Sequence, residues 1–159
     1  MAVIQQATVD KLYQFFTAAF DGAAGVVYMN QLVAASNSGM TIPQIVNVFT
    51  GKPQFLAMYP ESMSSTAFGL AYAHTLIGDS ASPTAVNSVA ADIALALDNG
   101  MSRGDVIFVV FTKLAAMPTN DPTWGQTSKM FQNQLVVSKY YTEVMLGQET
   151  ALPYLQNVI

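Results

Sequence analysis

Apolar residues recur along this chain at intervals of three and four rather than two. Val9, Leu12, Tyr13, Phe16 and Phe20 share one face of a helix over about residues 8–20. The segment "DGAAG" (21–25) interrupts it. Val26, Met29 and Val33 then mark a second helix, closed by "SNSG" (36–39), where Gly39 suits the left-handed position after a helix end. Phe68, Tyr72, Thr75 and Leu76 predict a helix ending near Gly78. Ser82 and Pro83 read as an N-cap followed by a first-turn proline, and Val86, Val89, Ala90, Ile93 and Leu97 line the next helix. Asp121 and Pro122 restart a helix by the same device, with Met130, Val137, Tyr141 and Val144 carrying its apolar face to about Leu146. A short amphipathic segment, "ALPYLQNVI", ends the chain.

One passage is said twice. "GMTIPQIVNVFT" (39–50) and "GMSRGDVIFVVFT" (100–112) share a Gly-Met, a hydroxyl residue, a polar residue three positions later and a closing Val-Phe-Thr. Thr41 with Gln44 has the spacing of a capping box, in which hydroxyl and amide each satisfy a free backbone N–H of the first turn. Ser102 with Asp105 repeats it with a shorter carboxylate. The second copy is apolar through residues 106–111, which suits a buried strand on propensity alone. The preceding cap, and helical spacing continued through Leu114 and Met117, favour a helix, apolar nearly all round and so the most buried of the set. The expected fold is all-α: a compact multi-helix bundle built as one domain over residues 1–159 from two fused pseudo-repeats, about 8–60 and 63–147.

Composition narrows the functional classes. Only 10% of the 159 residues are charged, whereas Asn, Gln, Ser and Thr number 43, so the surface is solvated through amides and hydroxyls and offers hydrogen bonds to neutral partners such as sugars. A net charge of −4 with six scattered Lys and Arg residues lacks the clustered basic footprint that nucleic acid requires. The absence of cysteine removes disulfides, thiol catalysis and cysteine metal sites together. The longest apolar run has the six residues 106–111, far short of the ~20 of a membrane span. The opening "MAVIQQATVDK" has neither the basic nor the apolar part of a secretory signal.

Few residues suggest chemistry. "TGKP" (50–53) lacks the upstream glycine of a phosphate loop, since Val46 stands there, and Pro53 replaces the metal-binding hydroxyl residue. "GDSAS" (78–82) lacks the final glycine of a nucleophile turn, and the sole histidine, His74, lies on the preceding helix rather than being brought from elsewhere. No carboxylate pair or metal constellation emerges, so the chain reads as a non-enzyme with no evident cofactor. Two readings compete for Trp124, the only tryptophan: a sugar-stacking ring flanked by Asn120, Asp121 and Gln126, or an apolar staple at a helix start. Tyr59, near Lys52 and Glu61, is a second candidate of the same kind.

The repeated segments resemble the helical domain of unknown function found in large bacterial surface proteins of type I secretion, S-layer proteins and calcium-binding repeat adhesins among them. The likeness is carried by "LYQFF" (12–16), "AGVVYMNQL" (24–32), "GMTIPQIVNVFTGKPQF" (39–55), "LDNGMSRGDVIFVVFTKL" (97–114) and "FQNQLVVSKYYTEV" (131–144). Met29 departs from it, standing where the family often has Trp after Tyr28. The resemblance implies an extracellular module at the cell surface, N-terminal in a longer S-layer chain. Such a module binds the O-polysaccharide of lipopolysaccharide, meets other copies of the subunit and is exported by a C-terminal signal outside this chain. Calcium enters only through the resemblance, which assigns it to the lattice-forming part. The competing reading is an assembly or spacer module that mediates contacts between subunits.

Overall fold

The computed structural model describes residues 5–159; residues 1–4, the start of the stretch read for a secretory signal, lie outside the described residues. It is an all-helical bundle of α1 (Gln6–Phe20), α2 (Gly25–Asn37), α3 (Ile42–Phe49), α4 (Pro53–Met58), α5 (Ser65–Ile77), α6 (Pro83–Asp98), α7 (Arg103–Ala116), α8 (Gly125–Lys139) and α9 (Leu152–Gln156). A 3-10 turn (Gly78–Ser80) follows α5, and a π turn (Tyr140–Val144) extends α8. Among the described residues no helix is long and apolar enough to cross a membrane.

The repeated passage is the same local device both times. Gly39, at φ +95°, donates to Ser36 O while Met40 N–H reaches back to Ala35 O; Gly100, at φ +93°, donates to Leu97 O while Met101 reaches Ala96 O. These are two Schellman endings, each with Gly in the left-handed conformation and Met at the following position. Thr41 then caps α3 in a complete capping box with Gln44. Ser102 caps α7 by accepting from Asp105 N–H at 3.0 Å, which settles residues 103–116 as helix rather than strand.

The two copies converge on α1. Phe49 of α3 and Phe111 of α7 flank the ring of Phe15 at centroid separations of 6.2 and 6.3 Å. Residues from both units belong to one buried cluster. The central helix is therefore α1 and not α7 as expected: Leu12, Tyr13 and every residue of 15–20 are buried, whereas Val109 is exposed and Phe108 and Val110 are only half covered. Apolarity all round made α7 look central, but α1 packs against α2, α3, α4, α7 and α8 together. The hairpins also differ. α5 lies closely along α6 because Gly69 meets the Ala90 carbonyl, with Ala73 and Ala94 buried beside it, while α1 turns instead to α7 and α8.

The long α8 departs from the expected register in two ways. It begins at Gly125, three residues beyond Pro122, after a turn held by the Asp121 side chain. Its buried face is Thr127, Ser128, Phe131 and Ser138, continued by Tyr141 and Thr142, while Val137 and Val144 point outward and Met130 is half covered. The buried hydroxyls find partners, Thr127 in the Ser80 side chain and the others in the backbone. Ser138 Oγ accepts from Ala24 N–H at 3.3 Å, Thr142 donates to Ser138 O at 2.9 Å, and Ser128 donates to Met117 O at 2.7 Å.

Candidate functional site

The start of α8 separates two clefts that differ in the number of polar side chains lining them. Asp121 builds the corner: one carboxylate oxygen accepts from Thr123 N–H at 2.9 Å and Trp124 N–H at 2.7 Å. The aspartate is thereby spent on capping, as Asx turns commonly are. The turn aims Trp124 to one side, half-buried, where it closes an apolar cleft of about 470 Å³ between α6 and α7, with Ile93, Val110, Leu114 and Met117 on its walls. Asp92 and Lys113 are the charged residues of that lining.

On the other side Gln126 faces a shallow groove of about 770 Å³ formed by α8 and the 3-10 turn, with Asp79, Ser80, Lys129, Asn133 and Gln134 around an apolar floor that includes Met130, Val137 and Ile159. Ser80 is satisfied internally, donating to Ile77 O at 2.5 Å and accepting from Thr127 Oγ1 at 2.8 Å. The side chains of Asp79, Gln126, Lys129, Asn133 and Gln134 have no hydrogen-bond partner among the described residues. Their donors and acceptors are open to solvent or ligand.

The candidates from sequence are thus divided. Trp124 and Gln126 flank the same corner but serve different clefts; Asn120 is exposed on the preceding turn, and Asp121 is the cap. Tyr59 is a correction: it is 2% exposed, packed tilted or edge-on among Phe55, Phe68 and Tyr72 at 5.0, 5.2 and 6.0 Å, and has no surface to offer a sugar. Burial pushes its phenol up to about 12. Lys52 lies over the Phe49 ring at 4.3 Å and donates to Gln31 at 3.3 Å, lining neither cleft beside α8.

His74 is exposed on α5, and Ser80 takes the partners given above. Among the described residues no group of three His, Asp or Glu side chains is placed to hold a metal ion. Sequence reasoning missed Lys129, Asn133 and Gln134. The signal was present: Gln126, Lys129 and Asn133 recur at helical spacing and share one face. It was hidden by assigning Met130 and Val137 to the core.

A comparison of the chain with protein-family models, with curated proteins and with solved structures finds no match.

Proposed function

We propose that this domain is a non-enzymatic anchoring module of a bacterial surface layer, binding the O-polysaccharide of lipopolysaccharide in the groove along α8. The observation that supports this reading is the row of unengaged side chains, Asp79, Gln126, Lys129, Asn133 and Gln134, in an open groove. Amides both donate and accept, which matches sugar hydroxyls, and Met130 and Val137 offer apolar surface to the C–H face of a pyranose. The resemblance of the two Gly-Met turns and their helices to the type I-secreted surface proteins supports the polysaccharide as ligand and the cell exterior as location. Each sugar contact is weak; many tethered copies along one chain multiply it.

Co-sedimentation with smooth and with O-chain-deficient lipopolysaccharide, in calcium and in chelator, tests the reading. Retention by smooth material alone is expected, insensitive to moderate salt because the contacts are largely uncharged. Asn133→Ala with Gln134→Ala should abolish it, and Trp124→Phe should leave it. Absence of the domain from both pellets, or equal retention in both, would sink the proposal.

A further inference from the structure

The two Gly-Met turns share their backbone but not their chemistry. In the first, Ser38 precedes Gly39, and its hydroxyl donates to Ala35 O at 2.7 Å. In the second, Asn99 precedes Gly100, the one Asn-Gly step in the sequence. Asn99 is exposed and ends α6 at φ −83° and ψ 7°. Its N–H donates to Leu95 O at 3.0 Å, Gly100 N–H to Leu97 O at 2.9 Å and Met101 N–H to Ala96 O at 3.1 Å. An asparagine amide carbon lies within ring-closing reach of the next residue's backbone nitrogen. Glycine, with no Cβ, leaves that nitrogen open to approach.

We infer that Asn99 is a site of spontaneous deamidation, gated by opening of the second Gly-Met turn. The Gly100 nitrogen attacks Asn99 Cγ: the N–Cγ bond forms, the Cγ–Nδ2 bond breaks, and Nδ2 leaves as ammonia with the Gly100 amide proton. Water then opens the succinimide at either carbonyl, leaving aspartate or isoaspartate at position 99. The fold holds this step back in two ways. At ψ 7° the Gly100 nitrogen is turned away from the Asn99 side chain, and its N–H is engaged by Leu97 O. Both restraints last only while the turn is closed, and a helix end at the surface opens more readily than the core.

The products differ from the parent where the turn is least tolerant. Either one adds a carboxylate beside Asp98 at the C-terminal end of α6, where the helix dipole favours cations. Isoaspartate also lengthens the main chain by a methylene among the bonded groups of the turn, so the Gly100 and Met101 bonds lose their register. Residues 99–102 alone join α6 to α7, and those helices wall the apolar cleft that Trp124 closes. Ageing at Asn99 therefore loosens that corner, whereas the first turn, with Ser38 before its glycine, has no side-chain amide to lose. This goes beyond the polysaccharide reading and stands or falls separately.

The test is peptide mapping of the whole chain, held folded in mildly alkaline buffer or unfolded in urea at the same pH and temperature. An isoaspartyl methyltransferase reports the isoaspartate. Product at position 99 is expected in both, about 10-fold or more slower in the folded chain, because bonds of the turn must open first. Asn37 and Asn87, each followed by Ser, should react later in the unfolded chain. Asn99→Ser supplies the residue of the first turn and should keep the circular dichroism while yielding no product there. Converted protein should melt at a lower temperature than fresh protein. Equal rates folded and unfolded would overturn the gating, as would a folded chain still free of product when the unfolded chain is fully converted. Earlier reaction at Asn37 or Asn87 would overturn the site, and a melting temperature unmoved by conversion would overturn the loosening.

Discussion

Asn47 of α3 donates its amide to Asp105 of α7 at 2.8 Å, so the first copy of the repeated passage is joined to the cap of the second. The same amide donates to Pro43 O at 3.0 Å and accepts from Ser102 Oγ at 2.7 Å. Asn47 thus ties the first turn of α3 to the cap of α7. The Asn47 amide, then Ser102, holds the Asp105 carboxyl below the usual carboxylate range. Gly104 is the contact point, since a Cβ there would strike the Asn47 side chain.

Asn47→Asp should reverse the pH behaviour of this junction. A second carboxylate beside Asp105 raises the pKa of one of the pair above its unfolded value, so the native state binds more protons than the unfolded state above about pH 4. Stability should therefore fall as pH rises. Urea titrations should show a loss of roughly 1–2 kcal/mol at pH 7 relative to the parent chain, largely recovered at pH 4.

Asp21 supplies a pH effect of the native chain. It follows α1 in the left-handed conformation, at φ 50°, and burial raises its carboxyl to about 6. The raised pKa means that stability is greatest below the unfolded value near 3.9 and declines as pH climbs through about 6. Asp21→Asn keeps a residue that tolerates this backbone and removes the charge. After allowance for its partial exposure to solvent, the variant should be more stable by about 1 kcal/mol at pH 7 and unchanged at pH 4, measured by denaturant midpoint at both values.

Glycines at two kinds of position should respond differently to alanine. Gly69→Ala drives a Cβ into the Ala90 carbonyl and must separate α5 from α6; a loss of about 2–3 kcal/mol is expected. Gly39→Ala meets open space and suffers only from its positive φ, for a loss of about 1 kcal/mol. Thermal melts of the two variants side by side check the order.

Arg103 clamps the loop before α5. Its guanidinium donates to Tyr59 O at 2.8 Å, Pro60 O at 3.1 Å and Met63 O at 3.1 Å, and lies 4.6 Å over the Phe68 ring. Arg103→Ala should cost roughly 2–3 kcal/mol, because three carbonyls lose a charged donor. Arg103→Lys should recover less than half, since an ammonium cannot span the fork. Hydrogen exchange at residues 59–64 should rise in both variants.

Much of the architecture was written locally. The Gly39 and Gly100 endings, the Thr41, Ser82 and Ser102 caps and the stripe of α6 depend on residues within a turn or two of one another, so spacing alone reveals them. That is why the all-helical fold and the repeated device were legible in the chain. The orientation of α8 was not. Apolar residues occur on both of its faces, Phe131 on one, Met130, Val137 and Val144 toward the other, and periodicity carries no preference between two such faces. The choice was made by partners far away in the chain, Ala24 for Ser138 across 114 positions and Thr150 for Tyr28 across 122. Tyr59 is the same lesson at the candidate site. A tyrosine near Lys52 and Glu61 reads as a surface ring, yet packing against Phe55, Phe68 and Tyr72 buries it, and that cluster exists only once α4 and α5 have met. Local hydrogen bonds define which segments are helices; which faces meet, and which cleft remains open along α8, is set by burial and polar satisfaction between segments that the linear chain keeps apart.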